Sequence, residues 1–114
     1  MTFIKHLEQS KVLDLTQEVP VEDEQMLSKT LVQRKSLGMT LFSLDKDQEI
    51  ARHTSPGDAM VTILSGKARI TIDDQDFDLT AGKTIVMPAD VPHALYALEA
   101  FQMLLVVVKP EDKA

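Results

Sequence analysis

Chemistry in this chain of 114 residues has to come from histidine, carboxylate, amide and hydroxyl groups, because there is no cysteine. Disulfides and thiolate sites are therefore excluded. The sequence contains no serine–histidine–acid signature and no phosphate-binding glycine loop. Of its three histidines, His53 and His93 are the candidates for a site. His53 opens the run His53-Thr54-Ser55-Pro56-Gly57-Asp58-Ala59, which places a hydroxyl and a carboxylate close behind an imidazole. Pro88 and Pro92 bracket a stiff bend that presents His93 at the start of a strand. Neutral imidazoles near pH 7 can bind an anionic or hydroxylated ligand, shuttle a proton or hold a metal ion weakly. Each could equally be a partly buried histidine hydrogen-bonded to its neighbours.

The elements that must position these residues read as strands. Runs expected to be extended are Thr30 to Lys35, Met39 to Leu44, Met60 to Leu64, Ala68 to Ile72, Phe77 to Leu79, Thr84 to Met87, Ala94 to Leu98 and Phe101 to Val108. Turn residues separate them every eight to twelve positions or so, which is the rhythm of an all-β sandwich or barrel. Gly66 and Gly82 fall at chain reversals, where a positive φ or a close backbone approach favours glycine. No segment after residue 30 holds an apolar period of 3.6 over a helical length, so alternating strand–helix folds are excluded. The first 25 or so residues are polar, include Val21-Glu22-Asp23-Glu24, and read as a tail with at most one short strand around Val12 to Leu15; residues 26–114 read as the barrel. Asp45, Asp47 and Glu49 read as a solvated loop.

Strand geometry sharpens the site. Positions 53, 55 and 59 share parity, so on a near-continuous strand they face one side. Asp58 has the opposite parity, and reaches that side only if Pro56-Gly57 kinks the strand as a bulge does; otherwise it is a turn residue. Met39, Met60, Met87 and Met103 are gap-filling core or interface residues in this reading.

From His53 to Ala97 the chain resembles the cupin superfamily. The first cupin motif, His-x-His followed by Glu or Gln and then Gly, aligns with His53, Ser55, Ala59 and Gly66. The second aligns with Gly82, Pro88, Asp90, His93 and Ala97, and Met87-Pro88-Ala89-Asp90-Val91-Pro92-His93-Ala94 is especially close; residues 67 to 81 separate the two. The resemblance implies an all-β double-stranded β-helix, a jelly-roll barrel of two packed antiparallel sheets. It also implies that His53 and His93 occupy the first and fourth metal-ligand positions inside the barrel. Ser55 replaces the second histidine and Ala59 the acidic or amide ligand. Stable transition-metal sites usually need three or four protein ligands. The expectation is therefore no tightly bound cofactor and at most a weakly held divalent ion such as Zn, Ni, Fe or Mn on His53 and His93.

Two functions follow as hypotheses. The first is a barrel that binds a small molecule in a cavity lined by His53, Ser55, Asp58, Ala59, Val61 and His93. The second is a metal-dependent enzyme of the dioxygenase, isomerase or lyase type, with His53 and His93 as ligands or as acid and base. A net charge of −6 with no long basic stretch argues against nucleic acid. The apolar run from Met103 to Val108 is far too short to span a bilayer, and the expected location is the cytoplasm. Ile85-Val86-Met87 and Leu104 to Val108 are apolar without alternation, so both faces of those strands need cover. A homodimer is the expected source of part of that cover.

Overall fold

A computed structural model describes residues 2–111. Its elements run α1 (Leu15–Glu18), β1 (Met26–Gln33), β2 (Leu37–Leu44), β3 (Glu49–His53), β4 (Asp58–Ser65), β5 (Lys67–Ile72), β6 (Gln75–Thr80), β7 (Thr84–Met87), β8 (His93–Ala97) and β9 (Phe101–Val108). Two antiparallel sheets pack face to face, with strand orders β1-β2-β9-β4-β7 and β3-β8-β5-β6. This is the jelly-roll barrel. No helix among the described residues is long and apolar enough to cross a membrane.

The core follows from alternation. On β4, Ala59, Val61 and Ile63 point inward and are buried, while Asp58 and Met60 point out. On β8, His93, Leu95 and Ala97 are the buried set. Phe101, Met103, Leu44, Ile70 and Leu79 complete the cluster between the sheets. With few aromatic residues in the chain, Phe101 is the largest fully buried side chain, and truncating it to alanine would cost roughly 3–5 kcal/mol.

The sheets differ on their outer faces. The four-stranded sheet presents polar groups to water: Arg69 grips Asp78 through two hydrogen bonds of 2.9 and 3.2 Å, and Tyr96 donates to Asp47 at 2.5 Å. The five-stranded sheet carries more apolar residues outside, among them exposed Met60, Val86 and Val108 beside Asp58, Thr62 and Thr84, and residues 2–25 fold back over part of it. Val19 joins Leu31, Val32 and Leu41 in a second buried cluster, with Leu7, Leu15, Met39 and Leu104 against it. Buried Gln102 fastens this segment to β9 by donating to the carbonyls of Thr16 and Val19 at 2.6 and 2.9 Å, while its own carbonyl accepts from Ser65.

Two local expectations are corrected. Around Val12 to Leu15 the chain makes a helical turn at Leu15–Glu18 rather than a strand, because Asp14 caps it by accepting from the Thr16 amide and hydroxyl. Glu49 belongs to β3, not to a loop. That strand was hidden because it is exposed at four of its five positions and only Ile50 packs inward. Asp45 and Asp47 are turn residues with fixed partners: Asp45 accepts from the Glu24 amide, which holds its carboxyl below the usual range, and Asp47 accepts from Tyr96.

Gly66 turns the chain between β4 and β5 at φ +78°. A Cβ there would also run into the Ala100 carbonyl. The turn between β4 and β5 and the loop residue that leads into β9 can therefore touch only through glycine.

Candidate functional site

A cavity of about 530 Å³ opens into the barrel. Its floor is apolar: Phe42, Ile50, Ala59, Met87, Leu95, Met103, Leu105 and Val107. Its mouth carries the polar residues Thr30, Gln33, His53, Thr54, Ser55 and Lys109, of which Ser55 and Lys109 are half-buried. An apolar chamber with a few convergent polar groups is the usual make-up of a small-ligand site.

His53 and His93 meet at this cavity. They are direct partners across β3 and β8, and their Nε2 atoms lie 3.2 Å apart with ring centroids at 4.4 Å in an edge-on arrangement. Their environments are unequal, for His93 is 2% exposed whereas His53 lies at the open mouth. The His53 Nδ1 sits 2.7 Å from the Ala51 carbonyl, which can only accept, so Nδ1 carries the hydrogen and Nε2 offers a lone pair. The His93 Nδ1 lies 3.3 Å from the Val91 carbonyl, and the two Nε2 atoms are close enough to share one hydrogen. Burial, and secondarily the charge of His53, push the His93 pKa down; the Val91 carbonyl opposes this weakly. The buried ring is thus held neutral.

Ser55 and Ala59 also line the cavity, but not for the reason that strand parity suggested. The chain is not one strand here. β3 ends at His53 in one sheet and β4 begins at Asp58 in the other, so the intervening loop carries Ser55 across the gap between the sheets. Ser55 Oγ accepts from the Gly57 amide at 3.2 Å, which leaves its hydroxyl hydrogen available to a ligand. Two residues expected at the site are elsewhere. Asp58 begins β4 in regular register with Val108 and points outward, where Oδ1 accepts from the Ala89 amide at 2.8 Å. No bulge re-aims it. Val61 is fully buried in the packed core and does not line the cavity.

The residues that the sequence did not single out come chiefly from β9 and β2. Met103, Leu105, Val107 and Lys109 recur at alternate positions and face the cavity. The available signal was that period of two, masked because the intervening Leu104 and Val106 are also apolar. Lys109 is set at the mouth by Gly57: a Cβ on residue 57 would strike the Val108 carbonyl and come within 2.8 Å of Lys109 Cγ. Glycine lets the lysine stem lie across the β3–β4 loop.

Whether these residues suit a metal can be tested on their donors. Two nitrogens 3.2 Å apart match neighbouring ligands on one ion, given metal–nitrogen bonds of about 2.0–2.1 Å. Beyond them the donor set fails. Ala59 offers a methyl, Ser55 a neutral hydroxyl, and Asp58 is turned away; among the described residues no cluster of three or more His, Asp or Glu could hold an ion. The residues do not fit a tightly held metal.

Comparison with known proteins agrees with this architecture. The family model described as cupin domain matches residues 40–109. A conserved protein of unknown function from Streptococcus pyogenes is 70% identical, with 98% of each chain covered and a TM-score of 0.97. A cupin superfamily protein from Desulfitobacterium hafniense is 31% identical over 94% of this chain and 98% of its own, with a TM-score of 0.90. A cupin conserved-barrel protein from Leptotrichia buccalis is 37% identical over 85% of this chain but 47% of its own, with a TM-score of 0.83. The comparison with curated proteins gives no match. With the two-sheet barrel, the glycine turns and the family match in agreement, this chain belongs to the cupin family.

Proposed function

We propose that the protein binds a small organic molecule in the barrel cavity, beside His53 and His93, without a tightly held metal. The observation that carries this reading is the combination of an apolar floor with a polar mouth in a cavity of about 530 Å³, a size suited to a small ligand. The His pair supplies hydrogen-bonding capacity there, and the missing third ligand argues against a resident ion. An ion added in excess would have to rest on His53 and His93 alone.

The test is a titration of isotope-labelled protein with a set of small organic compounds, followed by NMR. Ligands should perturb Phe42, Ile50, Met87 and Leu95 together with both imidazoles. Thr40→Phe, which fills the cavity from β2, should abolish those shifts. Perturbations confined to the outer surface would overturn the reading. Retention of a full equivalent of metal after chelation would instead favour a metal-dependent enzyme.

We further propose that the protein is a homodimer. Met60, Val86 and Val108 are 39%, 51% and 57% exposed on the outer face of the five-stranded sheet, beside the part that residues 2–25 cover. A second copy is the cover that this face calls for.

A further inference from the structure

The cavity differs in charge from the rest of the molecule. The chain is acidic, with 18 Asp and Glu against 12 Lys and Arg, yet among the described residues no aspartate or glutamate lines the cavity. Its basic residues are Lys109 and the two histidines. Among the described residues no carboxylate pairs with Lys109. A lysine with no carboxylate partner among the described residues, at the rim of an apolar chamber, attracts an anion and repels a cation.

We propose that the ligand is an amphipathic monocarboxylate, its carboxylate held at the mouth by Lys109 and the Ser55 hydroxyl and its apolar body resting on Phe42, Leu95 and Met103. This rests on the reading that the cavity is a small-molecule site. A single ammonium matches a single negative charge. A phosphate would demand more donors, and the lining has no arginine fork and no helix N-terminus. A zwitterion would need an acidic group for its own ammonium, which the lining lacks. A sugar would leave its hydroxyls unpaired against the methionine and leucine floor, at a cost for each. Ser55 is prepared to donate, because its oxygen already accepts from Gly57. Lys109 is held in place from two sides, by its own amide on the Ser36 carbonyl at 2.9 Å and by its stem over Gly57.

The experiment compares phenylacetate, phenylacetamide and phenethylamine, which share an aryl body and differ in charge, by NMR titration of the labelled full chain. The carboxylate should bind about threefold to fivefold more tightly than the amide, the range of a partly exposed ion pair, and the amine should bind most weakly. Lys109→Met, which keeps the stem and removes the charge, should weaken the carboxylate more than the amide and so erase the preference. Lys109→Arg should restore it. Equal binding of amide and carboxylate, or a preference that survives Lys109→Met, would overturn the ligand class while the cavity reading stands. If none of the three perturbed the floor residues, the cavity reading and this inference would fall together.

Discussion

The Nε2 atoms of His53 and His93 lie 3.2 Å apart, although 40 positions separate the residues in the chain. Antiparallel pairing of β3 with β8 sets them opposite each other, and the edge of the barrel exposes one while the interior encloses the other. Such a pair tolerates one neutral arrangement well and a second charge badly. That asymmetry has a measurable consequence.

An ordinary histidine titrates near 6.5, and His93 in the fold lies below that value, first because of burial and then because of His53. The unfolded chain therefore binds the proton more readily than the folded one. Stability supplied by neutral His93 is present above about pH 6.5 and declines as the pH drops towards the folded value. The His93 ring resonances should accordingly titrate below the ordinary histidine midpoint. The melting temperature should fall as the pH drops below about 6.5, and less steeply in His93→Gln. An unchanged slope in that variant would show that other groups set the acid limit.

The missing metal ligands can be put back. Ser55 and Ala59 both line the cavity near the His pair. Ser55→His combined with Ala59→Glu should convert a weak two-nitrogen clamp into a four-ligand site. Native protein dialysed against a chelator should retain well under one equivalent of zinc or nickel. Excess metal should raise its melting temperature only in proportion to the logarithm of metal concentration over the dissociation constant. The double variant should hold about one equivalent through the same dialysis. If it does not, the cavity geometry around positions 55 and 59 is wrong for coordination.

Much of this architecture was legible in the residues, and the failures have physical causes. Strands β4, β5, β7 and β9 carry runs of Val, Ile, Leu and Met between turn signals, so their periodicity speaks directly. β3 escaped because Glu49, Ala51, Arg52 and His53 face water and give no apolar alternation. For the site, motif spacing placed His53 and His93, but parity along one strand was the wrong argument for Ser55: the chain changes sheets between positions 53 and 58. Asp58, named as a site residue, points away because it opens β4 in regular register next to inward-facing Ala59. Lys109 was illegible because its role depends on a long-range approach to Gly57, which no local pattern encodes.

Gly66→Ala tests the turn that joins the two sheets. The residue sits at φ +78° and a Cβ would meet the Ala100 carbonyl, so the substitution adds backbone strain to a steric clash. The expected loss is about 1–3 kcal/mol or more, read as a lower denaturant midpoint with an unchanged slope. A loss below about 0.5 kcal/mol, the scale of an ordinary surface substitution, would mean that the β4–β5 connection relaxes freely.

The outer face of the five-stranded sheet gives the last prediction. Met60 pairs with Val86 on one side and Val106 on the other, and Val108 lies one inter-residue step of that face further along β9. The polar outer face of the other sheet, with its Arg69–Asp78 pair, needs no partner. Apolar residues that line up across neighbouring strands, by contrast, form a patch that association can bury. Light scattering at micromolar concentration should give about twice the 12.7 kDa chain mass. Met60→Lys or Val86→Lys places a charge against its own copy across a two-fold axis, where it must be desolvated beside another positive charge. Either variant should weaken association about tenfold or more while leaving the cavity and the NMR shifts of Leu95 and Met103 unchanged. If the native chain is monomeric under these conditions, the dimer proposal fails. If the lysine variants remain fully dimeric, the copies meet through a different face.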